Sequence, residues 1–220
     1  MKTTLRLISF AFALFITSNT FAATTYELEF KQQKAVDCNN ADNCALGESL
    51  LGLNVTDNMD GTVTFKFSIE DDMDASTDGG SIKKIAFGNV TSLITNPVNP
   101  TGMGVVYYGG PTSGNASPLQ FDGDFIWDAV SPAPKNGVNE GEMWSIMFDL
   151  VGMTTVLELV NSIASHDAGT AVIGLHVISI EAISGYDSSE TFTAVPIPAA
   201  VWLFGSALAG MVGWRRREVS

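Results

Sequence analysis

Basic residues are scarce in this chain: 11 Lys and Arg stand against 24 Asp and Glu in 220 residues, a formal net charge of −13. The deficit is steepest between residues 23 and 194, where six lysines (31, 34, 66, 83, 84 and 135) face 23 acidic residues, a net −17. A surface this negative repels phosphate backbones and excludes nucleic acid as a partner. Histidine is limited to His166 and His176, and cysteine to Cys38 and Cys44. Neither a His-Glu-x-x-His helix nor a Cys-x-x-Cys redox pair can be built from them. A Gly-x-Ser-x-Gly elbow, a P-loop and a dinucleotide fingerprint are also missing, so the expectation is a protein that is not an enzyme.

What is present is concentrated at the two ends. Lys2 and Arg6 precede an apolar stretch from Leu7 to Ile16, and polar and small residues follow to Ala22. This is the pattern of a secretory signal peptide over residues 1–22, with signal peptidase cutting between Ala22 and Ala23. At the other end Val195 to Trp214 gives 20 residues without a charge. As a helix they extend about 30 Å, the thickness of a bilayer core. A transmembrane helix is expected over 199–214, with Arg215, Arg216 and Arg217 as the basic end held on the cytoplasmic side.

The run Val195-Pro196-Ile197-Pro198-Ala199-Ala200-Val201-Trp202-Leu203-Phe204-Gly205-Ser206, closed by the three arginines, resembles the PEP-CTERM sorting signal of exported proteins in Gram-negative bacteria. Ile197 stands where the family's naming motif has glutamate. The resemblance covers about residues 195–217 of the tail 195–220 and implies a route. The precursor is held transiently in the inner membrane with its domain in the periplasm. An exosortase-type membrane transpeptidase then removes the tail and delivers the protein to the cell surface or the extracellular matrix of a biofilm, where extracellular polysaccharide is the implied partner.

Residues 23–194 are a usual length for one domain. Tyr26–Phe30 alternates apolar and charged residues, as a half-buried strand does. Ser49–Thr56 and Thr62–Ile69 flank a turn closed by Asp60-Gly61, which predicts a hairpin. Further strands are expected over Ser81–Val90, Gly104–Tyr108, Phe125–Ala129, Met143–Leu150 and Ala171–Ile183, with a loop through Asn96-Pro97 and Asn99-Pro100. Thr155-Val156-Leu157-Glu158 fits a capping box, and Val156, Leu159, Val160 and Ile163 follow at helical spacing. The predicted fold is therefore mainly β: one antiparallel β-sandwich, jelly-roll-like, with one short helix. Two cysteines in an exported domain predict a Cys38–Cys44 disulfide, a staple on a short polar loop.

Candidate ligand groups are few. Calcium is the one cofactor with oxygen-rich candidates: Asp57/Asp60, Asp122/Asp124, and the run holding Asp71, Asp72, Asp74 and Asp78. None has the EF-hand pattern, and no cofactor is expected otherwise. Asp122, Asp124, Glu140 and Glu142 could supply the carboxylate pair of a glycoside hydrolase. Tyr107, Tyr108, Phe121, Phe125, Trp127 and Trp144 offer either core packing or sugar stacking. Adjacent residues of a strand face opposite ways, so one of Tyr107 and Tyr108 is expected outside. The leading reading is a non-catalytic structural or adhesive surface protein. A carbohydrate- or calcium-binding module is second, and a secreted polysaccharide-active enzyme third.

Overall fold

A computed structural model describes residues 23–33, 38, 40–71, 78–110, 113–165, 169–182 and 185–196. The expected signal peptide to Ala22 and the tail beyond Pro196, with Ile197, Pro198, the helix 199–214 and the three arginines, lie outside the described residues, as do Asp72, Asp74 and His166. Among the described residues no helix is long and apolar enough to cross a membrane.

The chain forms β1 (Thr24–Gln32), α1 (Ala41–Leu50), β2 (Leu51–Asp57), β3 (Thr62–Ile69), β4 (Ser81–Gly88) and β5 (Ile94–Thr101). It continues with β6 (Tyr107–Gly110), β7 (Gly114–Asn115), β8 (Asp122–Gly123), β9 (Phe125–Ala129), α2 (Ala133–Asn136) and β10 (Met143–Leu150). The last described elements are α3 (Val156–Ser165), β11 (Val172–Ile180) and β12 (Ser188–Pro196). Ten strands form one antiparallel sheet in the order β5-β10-β3-β2-β1-β12-β11-β4-β9-β6, and β7 pairs with β8 separately. The mainly antiparallel β expectation holds. The hydrogen bonding, however, is continuous around a curled sheet, and the two faces of its core belong to distant parts of that one sheet.

Aromatic contacts show the curl. Phe65 on β3 lies 5.1 Å from Phe87 on β4 between ring centroids, although five strand steps separate β3 from β4. Phe148 on β10 is 5.2 Å from Phe87, and Trp144 on β10 is 5.7 Å from Trp127 on β9. Many of these pairs meet edge to face, the arrangement the ring quadrupole favours. Sequence alternation drives the arrangement: Val63, Phe65, Phe67 and Ile69 are buried while the residues between them are half exposed. The sheet is nearly closed, with an open seam between the edge strands β5 and β6.

Three differences from expectation have physical causes. The Asn-Pro segment is edge strand β5 rather than loop, since proline is tolerated where a backbone N–H faces away from the sheet. Among the described residues there are three helices instead of one. The predicted helix is α3, and its capping box forms: Thr155 Oγ1 accepts from Glu158 N at 3.2 Å, while Thr155 N donates to Glu158 Oε2 at 2.8 Å. The first missed helix, α1, starts inside the stretch expected as a disulfide loop and runs to Leu50, directly against β2. Its apolar residues make almost no stripe, so periodicity could not reveal it. The second, α2, is a single turn behind Pro132.

Candidate functional site

The Cys38–Cys44 disulfide is present, with the Cα atoms 6.4 Å apart. It differs from a loop staple in that Cys44 sits in the first turn of α1 and is buried. Asn40 caps that helix, its Oδ1 accepting from Asp42 N at 2.9 Å and Asn43 N at 3.3 Å. Asn43, fully buried, then joins α1 to the β11–β12 connection. Its Nδ2 lies within 2.9 Å of Ile180 O, Tyr186 O and Ser188 Oγ, and its Oδ1 accepts from Ala182 N at 2.8 Å. The side chain of Glu190, also buried, comes within 4.8 Å of both sulfurs. With the sulfurs joined to each other neither is a thiolate, so this group is not a metal site in the oxidised protein.

Several of the acidic candidates are held by turn chemistry, and others bond distant backbone. Asp57 Oδ1 accepts from Met59 N at 2.8 Å, and Asp60 Oδ1 accepts from Thr62 N at 3.0 Å and Thr62 Oγ1 at 2.6 Å. The Thr62 side chain, followed by its backbone N–H, holds the Asp60 carboxyl below the usual range. Asp71 is exposed, and Asp78 Oδ1 accepts from Gly80 N at 2.7 Å. Asp124 Oδ2 accepts from Val90 N at 2.7 Å, Glu140 Oε1 from Gly79 N, and Glu142 Oε2 from Asn139 N at 3.0 Å. The strand registers put Asp122 and Asp124, before β9, at the end of the sheet opposite Glu140 and Glu142, before β10. The fold thus does not bring those two groups into one cleft.

The aromatics divide between core and surface. Phe125, Trp127 and Trp144 are core, and Phe121 packs in a second small cluster on the outer face of the sheet with Ala116, Leu119 and Ile126. Tyr107 points inward, its hydroxyl donating to Ile82 O, and burial pushes its phenol pKa up. Tyr108 points outward and is 62% exposed.

The register aligns one outward row across the sheet: Tyr108 opposite Asp128, Asp128 opposite Lys84, Lys84 opposite His176, and His176 opposite Thr191. Gln33 N donates to Thr191 O and extends the row onto the end of β1. A strap over residues 113–121 lies across its inner part. Ser117 O accepts from Lys84 Nζ at 2.8 Å, and Leu119 O accepts from Gln33 Nε2. Beneath it His176 is buried, with Nε2 2.5 Å from Ser189 Oγ. Burial first, then Lys83 and Lys84, lowers its pKa to about 4, so it is neutral near pH 7. Nothing in the sequence alone aligned these residues, because the row draws on five strands and the residue after β1, and depends on their order.

No protein-family model matches the chain, and neither a curated protein nor a solved structure is significantly similar to it.

Proposed function

We propose that this chain is an exported surface or extracellular-matrix protein, delivered through its C-terminal tail by an exosortase-type transpeptidase after signal peptidase removes the leader. Its β domain acts as a non-catalytic structural or adhesive module. The observation that supports this reading best is where the tail begins. Val195 and Pro196, the first two residues of the sorting motif, are the last two of β12, a strand with β1 on one side and β11 on the other. Val195 lies opposite Glu29 and Pro196 opposite Leu28. A tail attached here transmits load along an interior strand. The ladder bonds lie perpendicular to that direction and are loaded together. This suits a domain tethered at that point.

The test is the intact mass of the protein recovered from the host's envelope and medium. Loss of Met1–Ala22 together with the tail beyond the Pro196-Ile197-Pro198 motif supports the sorting route. A mass that retains Val201 to Ser220 makes the protein a permanent bitopic anchor and removes the transpeptidase from the account. A second reading, a carbohydrate-binding module, is favoured by the exposed Tyr108 beside Asp128.

A further inference from the structure

We infer that the open end of the outward row, Tyr108 with Asp128 and Lys84, is a binding site for a single pyranose unit of a neutral polysaccharide. This deepens the carbohydrate-binding reading and rests on it. Three observations carry the inference. First, Tyr108 is 62% exposed although its neighbour Tyr107 packs against Trp144 with ring centroids 5.0 Å apart. A tyrosine left in water forgoes the burial its ring would gain, and such amphipathic rings commonly serve contact surfaces.

Second, a carboxylate stands opposite that ring, with an ammonium behind it on the next strand. Asp128 is directly opposite Tyr108, and its Oδ1 lies 3.6 Å from Lys84 Nζ. Both side chains are mostly buried, at 25% and 14% exposure. Among the described residues Oδ2 of Asp128 has no hydrogen bond, which leaves it to accept from a sugar hydroxyl. Lys84 is itself fixed by Ser117 O, so the pair is ordered before any ligand arrives. Third, the surface next to the ring is bare. Gly110, two residues along and on the same face as Tyr108, carries no side chain, and a Cβ there would meet nothing within 4 Å. Its φ of +137° favours glycine.

A pyranose fits this chemistry: its C–H face covers the tyrosine ring and its hydroxyls meet the carboxylate. The strap covers the row inward of Lys84, which limits the site to about one sugar unit. The ligand is neutral because a domain carrying −17 repels a uronate polymer.

The experiment is native gel electrophoresis of the purified protein through gels containing soluble neutral polysaccharides (a glucan, a galactan and a mannan), with alginate as the polyanionic control. Retardation by at least one neutral polymer and none by alginate is expected. Tyr108→Ala should weaken it about tenfold, equivalent to about 1.4 kcal/mol. Tyr108→Phe should retain it, and Asp128→Asn should weaken it by a smaller factor. Tyr186→Ala removes another exposed tyrosine, 67% exposed, and should change nothing. Unaltered thermal unfolding of each variant shows that the fold is kept. Retardation by none of the neutral polymers overturns the inference, as does equal retardation of Tyr108→Ala and the parent protein. Either result leaves the tail-sorting reading standing, since the intact mass measures that separately.

Discussion

Replacing Asn43 by alanine removes the hub that ties α1 to the β11–β12 connection. Its side chain serves Ile180 O, Tyr186 O, Ser188 Oγ and Ala182 N, all within 2.9 Å. A net intramolecular hydrogen bond contributes about 1 kcal/mol, and a buried partner left without one costs more. Tyr186 is exposed, so its carbonyl can turn to water, and Ser188 Oγ keeps its bond to Glu190 Oε1, which leaves Ile180 O and Ala182 N stranded at about 1.5 kcal/mol each. The expected loss is therefore about 3 kcal/mol. With a urea m-value of about 2 kcal/mol per M, that moves the unfolding midpoint down by about 1.5 M. The assay is urea denaturation followed by tryptophan fluorescence with the disulfide intact. Asn43→Asp sharpens it, because the carboxylate keeps the acceptor for Ala182 N but sets oxygen against the Ile180 carbonyl. Its loss should equal or exceed that of alanine. A midpoint shift below about 0.5 M for alanine, or an aspartate variant clearly more stable than alanine, would refute the hub role.

Gly47→Ala places a methyl 2.4 Å from Cζ of the fully buried Phe192, and the overpacking should cost about 1–3 kcal/mol, read as a lower melting temperature in calorimetry. A melting temperature equal to the parent's would mean that α1 shifts freely. His176 binds its proton in the folded state only near pH 4, whereas an unfolded histidine titrates near 6.5. Its stabilising contribution is complete above about pH 6.5 and is lost progressively as the pH falls towards about 4. His176→Gln should therefore reduce the difference between urea midpoints at pH 7.5 and pH 4.5, and an unchanged difference contradicts the assignment. Cys38→Ser with Cys44→Ser opens a small ring, for which chain entropy gives about 2 kcal/mol of lost stability. The far-UV helical signal should persist, since the Asn40 cap and the Asn43 contacts remain; its loss would make the disulfide a condition for α1.

The sequence by itself determined the features that depend on near neighbours. Alternation of apolar and polar residues placed β3, β10 and much of β1, because in a half-buried strand the side-chain period is set by the backbone. The capping box placed the start of α3, since its hydrogen bonds span only three residues. The cysteine pairing followed from the count and from the expectation of export. Tertiary structure alone decided the rest. Helix α1 has little intrinsic periodicity and is held by Asn43 and by Gly47 against Phe192, contacts with residues more than a hundred positions away. Prolines 97 and 100 signal a loop locally but are tolerated in β5 because that strand is at the edge. Which tyrosine faces water, and that Asp128 and Lys84 stand beside it, depended on the order β11-β4-β9-β6. Strand order is set by the global closure of the sheet around its aromatic core, and no window of the chain contains that information.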